Sequence, residues 1–160
     1  MKISRRDFLR ISKELAVSLI AVGAGSYVYS FYVEPGWVDV NEVEINLPRL
    51  SEAFSGFRIL QLSDIHMGGW MNRERLAETV RLALAQQPDL IVLTGDYLFG
   101  HSWNNHLELA GAGFVEEISK LTREYPTLGI LGNHDHWTNA EFVREMLTAS
   151  GVTELENGVF

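Results

Sequence analysis

Asp64, His66, Asp96, Asn133, His134 and Asp135 fall in three short motifs, Asp-x-His, Gly-Asp and Gly-Asn-His-Asp, each just after an apolar run. Two divalent ions held about 3.5–4 Å apart need carboxylates that bridge, imidazoles that terminate and a neutral oxygen donor. Each type is present here. Asp64 and His66 are two residues apart, so a continued strand would turn both side chains to one face, within reach of one ion. Asp96 follows Gly95, which permits a tight turn at a strand end, and is the candidate bridging carboxylate. Asn133 offers a carbonyl oxygen to the second ion. His134 is then free to act as a general acid or to stabilise charge on a phosphoryl group, and Asp135 is the candidate partner that orients it. Asp-x-His or Gly-Asp alone is common by chance. Gly-Asn-His-Asp after a buried run is more specific, and the ordered occurrence of all three carries the assignment.

The elements that must position these residues are legible in the apolar pattern. Phe57 to Leu62, Leu90 to Leu93 and Thr127 to Leu131 are predicted strands, and a last strand is predicted to begin near Val152. Between them, Asn72 to Gln87, Leu107 to Glu124 and about Asn139 to Ser150 have helical spacing. Alternating strands and helices predict an α/β fold built on a mostly parallel βαβαβ sheet covered on both faces. Asp64, Asp96 and Asn133 all follow strand ends, where ligand sites of open α/β sheets gather. Val38, Val40, Val43, Ile45 and Leu47 alternate with polar residues and predict a further half-buried strand, irregular near Asn41 and ended by Pro48.

Other chemistry-bearing residues fit simpler roles. His101 and His106 sit in a polar loop and are expected to be exposed, while His136 and Trp137 either border a substrate site or pack. Gly111-x-Gly113 has no preceding strand, so a dinucleotide reading fails.

The chain of 160 residues holds one domain at most, with net charge −8 and no cysteine. Lys2, Arg5, Arg6, Arg10 and Lys13 concentrate positive charge at the start, so the remainder is more acidic still and disfavours a basic nucleic-acid-binding surface. Absence of cysteine excludes disulfides and thiolate metal sites and suits an exported protein. Ser4-Arg5-Arg6-Asp7-Phe8-Leu9-Arg10, followed by an uncharged stretch over residues 15–33, resembles a bacterial twin-arginine translocation signal. The simpler alternative is a plain N-terminal membrane anchor, for which nineteen uncharged residues just suffice. Small residues from Ala21 to Ser26 give several weak cleavage contexts, so removal and retention as a tether both stay open. Residues 1–33 are therefore expected to be a signal or anchor, ending at Pro35-Gly36, and residues 34–160 the folded domain. Either form puts the domain outside the cytoplasm, in the periplasm or cell envelope, with the twin-arginine translocase as a partner.

Leu62-Ser63-Asp64-Ile65-His66, Leu93-Thr94-Gly95-Asp96 and Leu131-Gly132-Asn133-His134-Asp135 together resemble the calcineurin-like metallophosphoesterases, especially a bacterial group exported by the twin-arginine route. The resemblance implies a four-layer α/β/β/α sandwich and two divalent metal ions, manganese, iron or zinc. It also implies hydrolysis of phosphate esters, monoester or diester, by a metal-activated hydroxide. Carried over by position, Asp64, His66 and Asp96 would hold one ion, Asp96 and Asn133 the other, and His134 would assist the leaving group. The sequence departs from the pattern at Phe99, where the family often has a second aspartate. It also holds neither the later histidine nor the Gly-His-x-His motif of that family, so the expectation is the N-terminal half of the sandwich with impaired turnover. The competing expectation is an inactive membrane-tethered fragment or binding module.

Overall fold

A computed structural model describes residues 4–99 and 105–156. His101 lies outside them. The chain divides into two compact units, Met1–Ile45 and Asn46–Phe160.

The first unit is dominated by α1, Arg5–Val28. Ser4 caps it by accepting a hydrogen bond from the Asp7 amide at 3.1 Å, which leaves Arg5 and Arg6 in the first turn, both exposed. A π-helical turn, Tyr29–Val33, and a 3-10 turn, Glu34–Gly36, continue the run. No residue of α1 is buried. Arg5–Gly36 is long and apolar enough to cross a membrane by length and composition.

After it the expected strand over Val38 to Leu47 does not form. Val43 and Ile45 are 78% and 72% exposed, and no ladder partner pairs the segment among the described residues. Alternation marks only a surface suited to a half-buried strand, and without a neighbouring strand it has no hydrogen-bonding ladder to join.

The second unit is a parallel sheet with helices. Its strands are β1 Ile59–Leu62, β2 Leu90–Leu93, β3 Thr127–Gly129 and β4 Thr153–Glu154, ordered β1-β2-β3-β4 with every pair parallel. The helices are α2 Arg73–Ala85, α3 Asn105–Thr122 and α4 Asn133–Ala149. In a sheet built in sequential order, connections of one hand place every helix on the same face. Burial agrees: Ile91, Leu93 and Gly129 are covered, and Ile91 and Leu93 cluster with Leu76 and Val80 of α2, Phe114 and Ile118 of α3 and Leu147 of α4. On the opposite face Ile59 is 59% exposed and Val92 and Leu128 are half-buried, and among the described residues of this unit no helix packs there. The expectation of cover on both faces is thus corrected. The unit is one sheet and one helical layer, half of the four-layer arrangement.

Local chemistry explains the element ends. Asn72 caps α2 by accepting from the Arg75 amide at 3.0 Å. The buried Glu117 carboxylate of α3 is paired by Arg73 at the start of α2 and by Lys120 one turn on, which removes the penalty of an unpaired buried charge. Asn139 has extended backbone inside α4, and its side chain accepts from the Phe142 amide at 3.1 Å. The second segment of α4 therefore begins where the periodicity predicted a helix. The preceding turn, Asn133 to Thr138, has no apolar repeat and was not predicted.

Candidate metal centre

Three loops at the carboxyl ends of β1, β2 and β3 build the centre. After β1, the core residues Ile65 and Met67 alternate with Asp64 and His66, so burial of the first pair aims the second pair outward. Backbone bonds zip this loop to the one after β2: the Asp64 amide donates to Gly95 O at 3.1 Å, that of His66 to Asp96 O at 3.0 Å and that of Met67 to Tyr97 O at 2.8 Å. Asp64, His66 and Asp96 all have left-handed backbone, φ 54°, 50° and 60°. Each such residue stores conformational strain, and three together at strand ends are the kind of cost concentrated at functional sites.

The loops after β2 and β3 touch through two glycines. Gly95 has φ 97°, and a Cβ there would stand 2.4 Å from Gly132 N; a Cβ on Gly132 would stand 2.1 Å from Asp96 Oδ1. Only bare backbone lets the Asp96 carboxylate lie against the start of α4, where its Oδ1 accepts from the His134 amide at 2.9 Å. A carboxylate at a helix N-terminus also gains from the helix dipole.

Asp135 is fully buried. Its carboxylate accepts from the amides of Asp96 at 2.7 Å, Tyr97 at 2.9 Å, Leu98 at 3.4 Å and Gly132 at 2.9 Å. It clamps the β2 loop to the β3 loop by backbone bonds, which is a different task from the expected one of orienting the His134 ring. Beneath it the Tyr97 hydroxyl donates to the carbonyls of Ile130, at 2.7 Å, and Leu93, at 3.1 Å. Burial first, and then the neighbouring Asp135 charge, pushes this phenol well above its ordinary value.

His66, Asp96 and His134 offer donor atoms that all lie within 4.8 Å of one another. His66 Nε2 is 3.6 Å from Asp64 Oδ1 and 4.0 Å from Asp96 Oδ2. These spacings are too long for direct hydrogen bonds, whereas donors sharing one tetrahedral ion at bond lengths of about 2.0–2.2 Å stand roughly 3.4 Å apart. The other ring nitrogen, His66 Nδ1, is buried with no hydrogen-bond partner among the described residues. The Nε2 face of this ring, turned to two carboxylates that it does not hydrogen-bond, fits a divalent cation.

The remaining candidates lie as follows. Asn133 is exposed at the first position of α4, one residue before His134. Asp64 is exposed, His66, Asp96 and His134 are half-buried, and His106 and His136 are exposed. Phe99 and Trp137, which the motifs do not include, both place their rings beside His134.

Residues 57–157 match the family model described as calcineurin-like phosphoesterase, and the chain belongs to that family. It is a family of hydrolases acting on phosphate ester bonds and dependent on divalent metals. Among curated relatives, the chain is 33% identical over 159 residues to the protein named uncharacterized metallophosphoesterase YkuE of Bacillus subtilis, covering 98% of this chain and 54% of that one. It is likewise 33% identical to phosphodiesterase YaeI of Escherichia coli, with 97% and 54% covered. Identity is 26% over 125 residues to UDP-2,3-diacylglucosamine pyrophosphatase LpxG of Chlamydia muridarum, with 76% and 36% covered. The chain thus spans about half the length of the first two relatives.

Proposed function

We propose that the protein hydrolyses phosphate esters at a divalent-metal centre, with Asp64, His66 and Asp96 holding one ion and Asp96 and Asn133 a second. The observation that carries this reading is the convergence within 4.8 Å of His66 and Asp96, both on left-handed backbone, with His134 of α4. When bound, such ions supply Lewis acidity and a nucleophile available at neutral pH. The chain's own residues do the rest. Asp96, held by the His134 amide, presents its carboxylate at the start of α4. His134 faces the phosphoryl group and supplies a proton to the departing oxygen. Asp135 is a positioning residue that holds both loops in register.

Manganese, iron or zinc all suit this donor set, since carboxylate and imidazole discriminate poorly among them. The N-terminal arginine pair and the apolar helix support export by the twin-arginine translocase and an envelope location, with residues 15–33 as tether. The acidic balance of the chain argues against nucleic acid as a binding partner other than as a phosphodiester substrate. A second reading, a metal-binding module without turnover, is supported by the small donor set: among the described residues only three His or acidic side chains form a mutual cluster.

The test is metal content together with hydrolysis of a chromogenic phosphodiester and monoester by the manganese-reconstituted chain. Asp96→Asn is expected to abolish turnover and to release most of the metal. Hydrolysis that survives in Asp96→Asn would sink the proposal, and stoichiometric metal with no turnover would select the second reading. His134→Asn is expected to lower turnover by about 100-fold while metal content is kept; loss of metal would make His134 a ligand instead.

A further inference from the structure

Phe99 and Trp137 keep 54% and 60% of their surface open to solvent, yet both are held against the candidate centre. The Phe99 ring is edge-on to His66, with centroids 5.8 Å apart at 80°, and nearly parallel to His134 at 6.4 Å and 14°. Trp137, three residues after His134, places its ring 5.1 Å from that imidazole. His134 is therefore the shared neighbour of two exposed rings. Neither ring belongs to the core cluster, where Tyr97 and Phe114 pack together instead. Phe99 is seated on bare backbone: a Cβ on Gly69 would stand 2.9 Å from its Cγ. Exposed apolar surface next to convergent polar donors is the usual make-up of a ligand site, with the polar groups fixing one part of the ligand and the apolar walls another.

We propose that Phe99 and Trp137 form an aromatic rim that binds the organic group of the phosphoester and selects a flat aromatic ring close to the phosphorus over a short or extended alkyl group. The inference rests on reading the cluster as a phosphoester site. A group esterified to a phosphate bound at this metal centre and facing His134 lies a bond or two from phosphorus, beside the two rings that flank that imidazole. Flat faces stack on Phe99 and Trp137 with an aromatic preference that a flexible chain lacks.

The test measures binding of phenylphosphonate, methylphosphonate and hexylphosphonate to the manganese-loaded chain by calorimetry, in wild type, Phe99→Ala and Trp137→Ala. Phenylphosphonate is expected to bind about fivefold tighter than either alkyl compound, and each substitution is expected to reduce that preference to within about twofold. Both side chains are exposed, and an unchanged melting temperature and metal content in the variants ties the effect to the rim. Equal binding of all three probes, or a preference that survives either substitution, overturns the rim and leaves the phosphoester reading standing. Tightest binding of hexylphosphonate overturns it in favour of an acyl-chain substrate. Failure of all three to bind the manganese-loaded chain removes the phosphoester reading and the rim with it.

Discussion

On β2, Ile91 and Leu93 are buried in one cluster with side chains of α2, α3 and α4, while Leu90 and Val92, equally apolar and one residue away, stay partly open. The same contrast runs across the sheet. Ile59 on β1 and Ile130 just after β3 are 59% and 42% exposed, whereas their neighbours on the other face lie under helices. Period-two alternation assigns residues to two faces, but a strand that is apolar on both does not say which face a helix will cover. The loops at the carboxyl ends follow from the covered face. Ile65, Met67, Tyr97 and Leu98 are all within 5% exposure on the core side, and their anchoring is what lets Asp64, His66 and Asp96 sustain left-handed backbone.

The contrast between faces is sharpest in a pair of truncations. Leu93→Ala is expected to cost about 2–5 kcal/mol, because it empties a fully packed position. Ile59→Ala, which removes more exposed surface, is expected to cost less than about 1 kcal/mol. Denaturant titration of both checks this, and equal losses would mean that the second face is covered in solution. Next in size is Tyr97→Phe, expected to cost about 1 kcal/mol at neutral pH through loss of the bond to the Ile130 and Leu93 carbonyls. Its pH dependence has a defined sign. The folded-state phenol lies above its unfolded value, so the stability linked to it is present below about pH 10 and is lost as pH rises beyond that. Tyr97→Phe is expected to flatten that alkaline decline in melts taken between neutral and alkaline pH. The smallest effect is expected on the open face, where Ile130→Lys changes stability by less than about 0.5 kcal/mol and reduces self-association in sedimentation experiments. A large destabilisation by this lysine would show the face to be packed.

Much of the folded unit was legible in the chain. Strand β2 has its predicted limits, α2 and α3 lie within about two residues of theirs, and the carboxyl-end placement of Asp64, Asp96 and Asn133 follows from the apolar runs before them. The failures share a cause. The stretch from Val38 to Leu47 alternates as a strand should but has no ladder partner among the described residues, and the turn from Asn133 to Thr138 is helical without an apolar stripe because Asp135 ties it to the β2 loop. Both outcomes depend on partners distant in sequence.

The residue types and their order determined by themselves the parallel α/β topology and the inventory of carboxylate, imidazole and amide donors, because periodicity and composition are local properties. Tertiary structure decided the tasks within that inventory. Asp96 and Asp135 are chemically the same, yet one carboxylate stands at the candidate centre while the other is consumed by four backbone amides. Their difference comes with the contact of Gly95 with Gly132, which brings the β2 and β3 loops close enough for the Asp135 carboxylate to reach the amides of both.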